Sequence, residues 1–375
     1  MTSRERVLAA VRHQQPDRCP LDFGGMPFTL SHPKVLQSLR DLLGLPMPDD
    51  RDPNEQWPEE AVLKHLDVDM RYVPSGPPDA ILRHYDPAGY EERLAQRARK
   101  KPEKRHVVTA SGQHIHRDLG IADLTLEEIR KLKPKLPDPP KYMDWAIAQA
   151  KEFRAQGKAV SYFVCSGFFE LGCWGRGYEQ FVVEMMTEPD LVRALFDLWL
   201  AEKLHLVRTV VRPLAPHIDL FVFGDDLALQ TGPFFSPEVF RAMLKPYFTE
   251  LYGAMHKTAP QSAVVHHSCG SVYRLLDDLI DMGVDVLNPL QPNAADMSPE
   301  KLKPAGAGRL CFHGGIDLQD LLPHGTPEMV RAEAARRMRI LGQGGGYLCA
   351  PAHSLPEDVP AENIVALCQA DRSLN

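Results

Sequence analysis

Short apolar segments that end in polar residues recur along the chain, and they predict its sheet. Each is nearly continuous in apolar side chains, as expected for strands that a parallel sheet buries on both faces. The segments are Pro20–Asp22, Arg71–Pro74, Val160–Ser166, Leu220–Asp226, Ala263–Cys269, Val286–Gln291, Leu310–Asp317 and Gly346–His353. From Val160 onward they alternate with helical patterns, which is typical of βαβ units.

Signals for helix starts separate these segments. Thr2 with Glu5, and Thr125 with Glu128, have the spacing of capping boxes, in which a hydroxyl and a carboxylate bond free backbone N–H groups. Three more starts place a proline directly after a capping hydroxyl, at Ser236–Pro237, Ser298–Pro299 and Thr326–Pro327.

Two architectures fit this alternation, an open doubly wound sheet and a (β/α)8 barrel. An open sheet commonly carries a Gly-rich first turn, and no G-x-G-x-x-G follows a strand segment here. Polar candidate residues instead follow nearly every segment, and a barrel brings all its strand ends to one mouth. We therefore predict a (β/α)8 TIM barrel as a single domain over residues 1–375, with an N-terminal extension. Residues from about 76 to 118 are polar, and we expect them to form a hairpin excursion over the barrel.

Composition and charge narrow the class of protein. With 44% hydrophobic and 25% charged residues, the chain has the balance of a soluble globular protein. Its 50 acidic and 43 basic residues give a net charge of -7, which argues against nucleic acid or a membrane surface as partner. The N-terminal sequence lacks the apolar core of a signal peptide, and no run has the length of a membrane span. Seven scattered cysteines are typical of reduced thiols, so we expect a cytoplasmic protein.

The clearest chemical signal is the segment HHSCG, residues 266–270, at the end of one apolar run. Residues two apart on a strand face the same side, so His267 and Cys269 both face the mouth. Imidazole and thiolate together are a ligand set that suits Zn²⁺. The structural alternative for the same pair is a buried cysteine beside a histidine that caps a turn.

A third ligand is available at the last strand end, in CAPAH at residues 349–353. Cys349 and His353 lie four residues apart across Pro351, so the spacing leaves the choice between them open. Structural zinc sites close with four protein ligands, whereas catalytic sites use three and leave one position open. Three converging ligands therefore favour a catalytic zinc site.

Carboxylates and amides follow the other strand ends. Adjacent Asp225 and Asp226 face opposite ways, so we expect one to reach the ligand and the other to cap a helix or orient a loop. The residues expected to act in catalysis are Asp22, Asp225 and Asp226. Those expected to contact the substrate are Asn288, Gln291, Asp317 and Tyr178. No arginine or lysine lies directly on the strand ends, which favours a small substrate with little or no negative charge.

Longer stretches of the chain resemble the uroporphyrinogen decarboxylase superfamily. The resemblance covers nearly the whole chain apart from the excursion, and it implies the barrel. It is carried, in this order, by TSRERVLAAVRHQQPDRCPLDFGG, GFFELGCWGRGYE, FGDDLALQTGPFFSPEVFRAMLKPY, HHSCGSVYRLLDDLIDMGVDVLNPLQ, FHGGIDLQDLLPHGTPEMVR and GGGYLCAPAHSLPEDVPAENI.

Two branches of this superfamily differ in their motifs. Uroporphyrinogen decarboxylases carry an arginine-rich segment, R-Q-A-G-R-Y, that grips tetrapyrrole carboxylates, and this chain has LDFGGM at residues 21–26 instead. Zinc-dependent, corrinoid-linked methyltransferases carry H-x-C on one strand, which His267 and Cys269 match. Their third ligand, usually a cysteine in the coenzyme M methyltransferases, falls at His353. The resemblance therefore implies His353 as third ligand, with Cys349 as the alternative.

What the resemblance implies is a zinc-dependent methyltransferase. It would move a methyl group between a small molecule and a corrinoid (cobalamin) carried by a separate protein, since the sequence has no recognisable corrinoid-binding domain. A methyl ether is the favoured donor because a Lewis acid helps an alkoxide to leave. The alternatives are a metal-free decarboxylase similar to uroporphyrinogen decarboxylase and a non-catalytic binding barrel.

Overall fold

A curled parallel sheet of seven strands forms the centre of the structure. The structure is a computed structural model, and it describes residues 1–47, 56, 58–76, 79–98, 107–108, 114–115 and 120–374. The strands pair with one another in chain order. They are β1 (Met70–Val73), β2 (Ala159–Ser166), β3 (Leu220–Gly224), β4 (Ala263–His267), β5 (Val286–Leu290), β6 (Cys311–Ile316) and β7 (Tyr347–Pro351).

The first predicted strand, Pro20–Asp22, contributes one parallel bridge between Leu21 and Cys349 of β7. The Cys349 N–H donates to the Pro20 carbonyl at 2.9 Å, and the Asp22 N–H donates to the Cys349 carbonyl at 2.8 Å. On its other side, the Leu21 carbonyl accepts from the Asp69 N–H, directly before β1, at 3.0 Å. Within the described residues, seven of the eight predicted strands are therefore present. The fold is a TIM-barrel-like α/β half-barrel.

Most helices connect the strands and pack on the outer side of the sheet, whereas the first helix adds Val7 and Ala10 to the inner core. None of those described combines the length and the apolar character that crossing a bilayer requires. The helices are Ser3–Val11, Pro33–Leu43, Glu60–His65, Asp79–Tyr85, Pro87–Ala98, Leu126–Ile129, Met143–Ala155, Phe169–Arg176, Tyr178–Thr187, Pro189–Leu206, Arg212–Leu214, Pro237–Met243, Lys245–Thr258, Leu276–Asp281, Pro299–Gly306, Leu321–His324, Pro327–Gly342 and Ala361–Cys368, with a wider turn at Val207–Val211 and a 3₁₀ turn at Tyr273–Leu275.

Several predicted helix starts are confirmed in atomic detail. Both capping boxes are formed, by Thr2 with Glu5 and by Thr125 with Glu128. The Ser236 hydroxyl accepts from the Val239 N–H, and the Thr326 hydroxyl accepts from the Met329 N–H. Ser298 precedes its helix without such a bond, so there the proline at the first helical position alone marks the start.

Alternation along the strands divides their side chains between two cores. On β4, Val265 belongs to the inner core, where it joins Leu220 and Val222 of β3, Val286 of β5 and Leu348 of β7. Val264 faces the outer core between sheet and helices. Because the period is two, His267 continues the inner row toward the end of the strand, and His266 continues the outer row. The same alternation separates a site residue from a core residue.

The predicted hairpin over residues 76–118 is only partly correct. Its described part begins with two helices, Asp79–Tyr85 and Pro87–Ala98, which are separated by Asp86 alone. Val107–Val108 and His114–Ile115 form a short antiparallel pair, and the remaining residues of the excursion lie outside the described ranges. A proline at the first position, followed by good helix formers in AGYEERLAQRA, accounts for the second helix.

Candidate metal centre

Three predicted ligands meet where β4 and β7 end. His267 is the last residue of β4, Cys269 lies two residues beyond it, and His353 lies two residues beyond β7. One donor atom from each, two imidazole nitrogens and the thiol sulfur, lie within 4.8 Å of one another. The two residues of the H-x-C motif and a residue 84 positions later in the numbering are thus brought to one point.

His267 is held on three sides. Its Nδ1 lies 2.6 Å from the Asn288 Oδ1, and its Nε2 lies 3.6 Å from the Cys269 sulfur. The ring of Phe28 is stacked on the imidazole, with centroids 3.5 Å apart and an interplanar angle of 22°. An imidazole whose Nδ1–H donates to this amide oxygen presents an unprotonated Nε2 to the thiol.

Burial controls the charge of the three groups. It lowers the pKa of His267 to about 4 and that of His353 to about 4, so both imidazoles are neutral at pH 7. Burial and the neighbouring Asp226 carboxylate raise the pKa of the Cys269 thiol well above its usual value. The protein alone therefore holds two neutral imidazoles beside a protonated thiol.

This donor set fits Zn²⁺. Neutral imidazole nitrogen and sulfur are the ligands that zinc prefers, and three protein donors match a site that keeps one position for a substrate. A coordinated thiol gives up its proton, so a metal ion here would reverse the effect of burial on Cys269. Residues His267, Cys269 and His353 would hold the ion.

The choice of third ligand is visible in the packing. Cys349 lies on β7 and is fully buried, with its pKa raised to about 12 by burial. It belongs to the outer core, together with Tyr347, whereas Leu348 between them faces the inner core. The metal-binding group of the described residues contains His353 and not Cys349. Cys349 is therefore on the wrong side of the strand to join His267 and Cys269.

Asp225 binds the start of a helix. Its carboxylate accepts the backbone N–H groups of Phe168, Phe169 and Glu170 at 2.8, 2.9 and 2.7 Å. Burial raises the pKa of Asp225 to about 6, although the three N–H donors act in the opposite direction. The carboxylate thus fixes the N-terminus of the helix Phe169–Arg176 against the end of β3.

Asp226 turns to the opposite side, toward the ligands. Its Oδ1 accepts the Cys269 backbone N–H at 2.8 Å and lies 3.7 Å from the His267 Nε2. Burial raises its pKa. The two adjacent carboxylates therefore have different partners, and Asp226 is the one beside the donor atoms.

A cavity of about 640 Å³ opens beside the ligands. Gln291 and Asp317, both predicted to bind substrate, line it; the Gln291 Oε1 also accepts the Gly270 N–H at 2.8 Å. Asp317 accepts the N–H of Gln319 at 2.9 Å. The described lining contains no arginine or lysine; its polar and ligand residues are Gln230, Cys269, Gln291, Asn293, Asp317, Gln319, His353 and Ser354.

Three other predicted site residues lie away from this cavity wall. Asn288 is fully buried, and its amide lies between two imidazoles, those of His267 and His313. Tyr178 packs against Phe169, and its hydroxyl is buried without a hydrogen-bond partner among the described residues. Asp22 is fully buried as well, 2.9 Å from the His313 Nε2. Direct substrate contact by Asn288 or Tyr178 stays a prediction, as does proton donation by Asp22.

Sequence reasoning did not identify Phe28. It lies in the loop after Pro20–Asp22, and its ring contacts His267 face to face and Phe163 edge to face. Nothing in its local sequence spacing indicates this position, because the contact joins residues about 240 positions apart in the numbering. Sequence spacing does not reveal the role of His313 either, because its link to Asn288 depends on the pairing of β5 with β6.

Comparison with known proteins shows the family and identifies solved structures with a similar fold. Residues 125–374 match the family described as uroporphyrinogen decarboxylase (URO-D). The fold is similar to that of a methyltransferase from Methanosarcina mazei, with 17% identity, a TM-score of 0.59, and coverage of 98% of this chain and 97% of that chain.

More distant similarities concern glycoside hydrolases. A family 10 xylanase from termite gut is 8% identical, with a TM-score of 0.40 over 64% of this chain and 66% of that chain. A psychrophilic family 10 xylanase is 9% identical, with a TM-score of 0.41 over 65% of this chain and 87% of that chain. Both are too remote to bear on function. No curated protein sequence matches the chain.

Proposed function

Because the chain belongs to the uroporphyrinogen decarboxylase (URO-D) family, and because its mouth holds a zinc-type donor set, we propose that it is a zinc-dependent methyltransferase. It moves a methyl group between a small molecule and a corrinoid carried by a separate protein. We take residues 1–375 as one barrel domain, completed by Leu21 as its eighth, shortest strand. The convergence of His267, Cys269 and His353 beside an open cavity is the observation that carries this proposal.

The lining of the cavity supports a substrate without several carboxylates. Its amides offer hydrogen bonds, and Asp317 is its charged group. Arg176, in the segment that follows β2, is engaged by Glu184 at 2.5 and 2.6 Å and by the Ile121 carbonyl at 2.6 Å. It is therefore already neutralised by a buried partner. A tetrapyrrole with many carboxylates requires several guanidinium clamps, and this disfavours the decarboxylase alternative.

The residues have separate tasks in the proposed reaction. A bound zinc ion would supply Lewis acidity toward the leaving heteroatom. Asp226 holds the Cys269 backbone in place, and Phe28 covers one face of His267. Gln291 and Asp317 lie where they can hydrogen-bond a substrate in the cavity. A methyl ether is the donor we favour, because an alkoxide is a poor leaving group that gains most from a Lewis acid.

The first experiment is metal analysis of protein purified without chelator. We expect close to one zinc ion per chain, and its loss in the double variant His267→Ala/Cys269→Ala. A matched control is His266→Ala/Cys311→Ala, which removes a neighbouring buried histidine and another buried cysteine that lie away from the donor group. Zinc retained in the first variant would refute the ligand assignment.

The second experiment measures the reaction itself. The protein is incubated with free cob(I)alamin and a panel of methoxylated compounds, and methylation is followed by visible absorbance. We expect methyl transfer that depends on the metal ligands and that the control double variant retains. Conversion of uroporphyrinogen, without methyl transfer from any donor, would instead establish the decarboxylase alternative.

A further inference from the structure

Three hydrogen bonds in series connect Asp22 with His267. The Asp22 Oδ2 lies 2.9 Å from the His313 Nε2, and the His313 Nδ1 lies 2.7 Å from the Asn288 Nδ2. The Asn288 Oδ1 in turn lies 2.6 Å from the His267 Nδ1. Asp22, His313 and Asn288 are fully buried, and His267 is 4% exposed, so solvent does not compete for these bonds.

The carboxylate at one end of the series determines which group donates and which accepts in each of the three hydrogen bonds. A carboxylate oxygen accepts, so the ring nitrogen that faces Asp22 is the donor Nε2–H; with one ring proton, His313 then accepts from the Asn288 amide NH₂ at Nδ1. The amide oxygen of Asn288 must then face His267 and accept from Nδ1–H. This leaves Nε2 of His267 without a proton, and Nε2 is the nitrogen near Cys269.

The opposite direction is disfavoured for a simple reason. If Asn288 turned its oxygen toward His313, the Nδ1 of His313 would need a proton while its Nε2 faces the Asp22 carboxylate. Neutral imidazole has one proton, and a second one would turn the contact with Asp22 into a fully buried ion pair, whose desolvation the neutral ring avoids. Asp22 itself is fixed, because its Oδ1 accepts the Gly25 N–H at 2.7 Å and its Oδ2 accepts the Thr29 hydroxyl at 2.9 Å.

His353 has a different partner at Nδ1 and is not at the end of such a hydrogen-bond series. Its Nδ1 accepts the N–H of the adjacent Ser354 at 2.8 Å, so the proton of the neutral ring lies on Nε2. Of the two imidazoles in the donor set, His267 is the one whose proton is already directed away from the other donors. The two histidines thus differ in how far the protein prepares them for a metal.

We infer that Asp22, acting through His313 and Asn288, is a positioning residue that sets the tautomer of His267 and thereby the affinity of the site for a metal ion. The inference rests on the proposed zinc site. Partners behind a ligating histidine commonly change metal affinity by about 10–100-fold when they are removed. Here the controlling charge lies three hydrogen bonds away from the ligand nitrogen.

The decisive variant is Asp22→Asn. The backbone N–H of Gly25 cannot turn, so it retains the one amide oxygen, and the new NH₂ faces Thr29 and His313. His313 then carries its proton on Nδ1, Asn288 reverses, and the proton of His267 moves to Nε2, the nitrogen needed for the metal. We expect zinc or Co²⁺ to bind about 10–100-fold more weakly, measured by competition with a chromophoric chelator.

A pair of substitutions at Asn288 separates orientation from simple loss of packing. Asn288→Asp keeps an oxygen acceptor for His267 Nδ1–H, and its metal affinity should stay within a few-fold of the original. Asn288→Leu fills a similar volume without an acceptor and should lose about 10–100-fold. The matched control is Asp219→Asn, which neutralises another buried carboxylate at the start of the sheet, where it binds Arg4 and the Val160 N–H. It should leave metal affinity unchanged.

Long-range ¹⁵N NMR of the metal-free protein reports the tautomers directly. We expect His267 protonated at Nδ1 in the original chain and at Nε2 in Asp22→Asn. Unchanged metal affinity in Asp22→Asn would overturn the inference, and so would a His267 that already carries its proton on Nε2. If the original protein binds no metal at all, the proposed function fails, while the NMR tautomers still decide whether the series operates.

Discussion

Replacing Asp225 by alanine should destabilise the protein more than an ordinary helix-cap substitution. Removal of one capping bond costs about 0.5–2 kcal/mol. Asp225 accepts three consecutive backbone N–H groups at 2.7–2.9 Å from a fully buried position, and alanine would leave all three without an acceptor. Each buried donor left unpaired costs about 1–3 kcal/mol, so for three donors we expect a loss of at least about 3 kcal/mol in the free energy of unfolding.

The isosteric Asp225→Asn gives the graded comparison. Its single carbonyl oxygen can still accept from the helix N-terminus, so the loss should fall to about 1–2 kcal/mol. Thr326→Ala is the control for an exposed cap with one bond, where about 0.5–2 kcal/mol is expected. Urea unfolding followed by circular dichroism measures the totals. Hydrogen exchange of residues 168–170 reports the local effect, which should be a marked loss of protection in Asp225→Ala.

A small loss of stability in Asp225→Ala, without a local loss of amide protection, would show that Asp225 does not hold the helix. That outcome means a free energy of unfolding within about 1 kcal/mol of the original chain. It also means that the amides of Phe168, Phe169 and Glu170 keep their protection from hydrogen exchange. Metal content is a further readout. It should remain near that of the original, because Asp226 rather than Asp225 bonds the Cys269 backbone.

Three further outcomes are expected. His353→Ala should lose bound zinc while Cys349→Ala keeps it, and metal analysis showing the reverse would reassign the third ligand. Phe28→Leu should keep zinc but release it several-fold faster to EDTA, because the stacked ring covers His267; an unchanged release rate would contradict that shielding. His266→Phe should weaken the dependence of the free energy of unfolding on pH under acidic conditions. Burial lowers the pKa of His266 to about 3, so the original chain loses up to about 1.4 kcal/mol per pH unit as pH falls below about 6.5, and equal slopes in both proteins would exclude the effect.

The strands could be predicted because their local sequence contains the cause of their structure. Each of the seven sheet strands is an apolar run that the sheet buries on both faces, and alternation placed His267 and Cys269 on one side. Pro20–Asp22 was predicted as a strand like the other seven, but it makes only one bridge, at Leu21. The helices before and after Asp86 were missed because the segment was judged by its polar composition, although Pro87 and the helix formers that follow it predict the second helix.

The site residues that lie at strand ends could be predicted from the sequence, whereas those placed by tertiary contacts could not. His353 could be preferred to Cys349 only through the resemblance, because it lies two residues beyond Pro351, the last residue of β7, where alternation no longer fixes the side of a side chain. The role of Asn288 depends on the distance of its amide from two imidazoles on neighbouring strands, which spacing along one strand does not reveal. Phe28 approaches from a loop, so its stacking is a purely tertiary contact.

The N-terminal residues have a consequence for variation among relatives. All three donor residues lie within the family match over residues 125–374, whereas Asp22 and Phe28 lie outside it. Two relatives with identical donor residues can therefore differ in the residue at the far end of the hydrogen-bond series and in the ring that covers His267. If the donor residues hold a metal as proposed, substitutions at positions 22 and 28 would change its retention while the donor residues themselves stay unchanged.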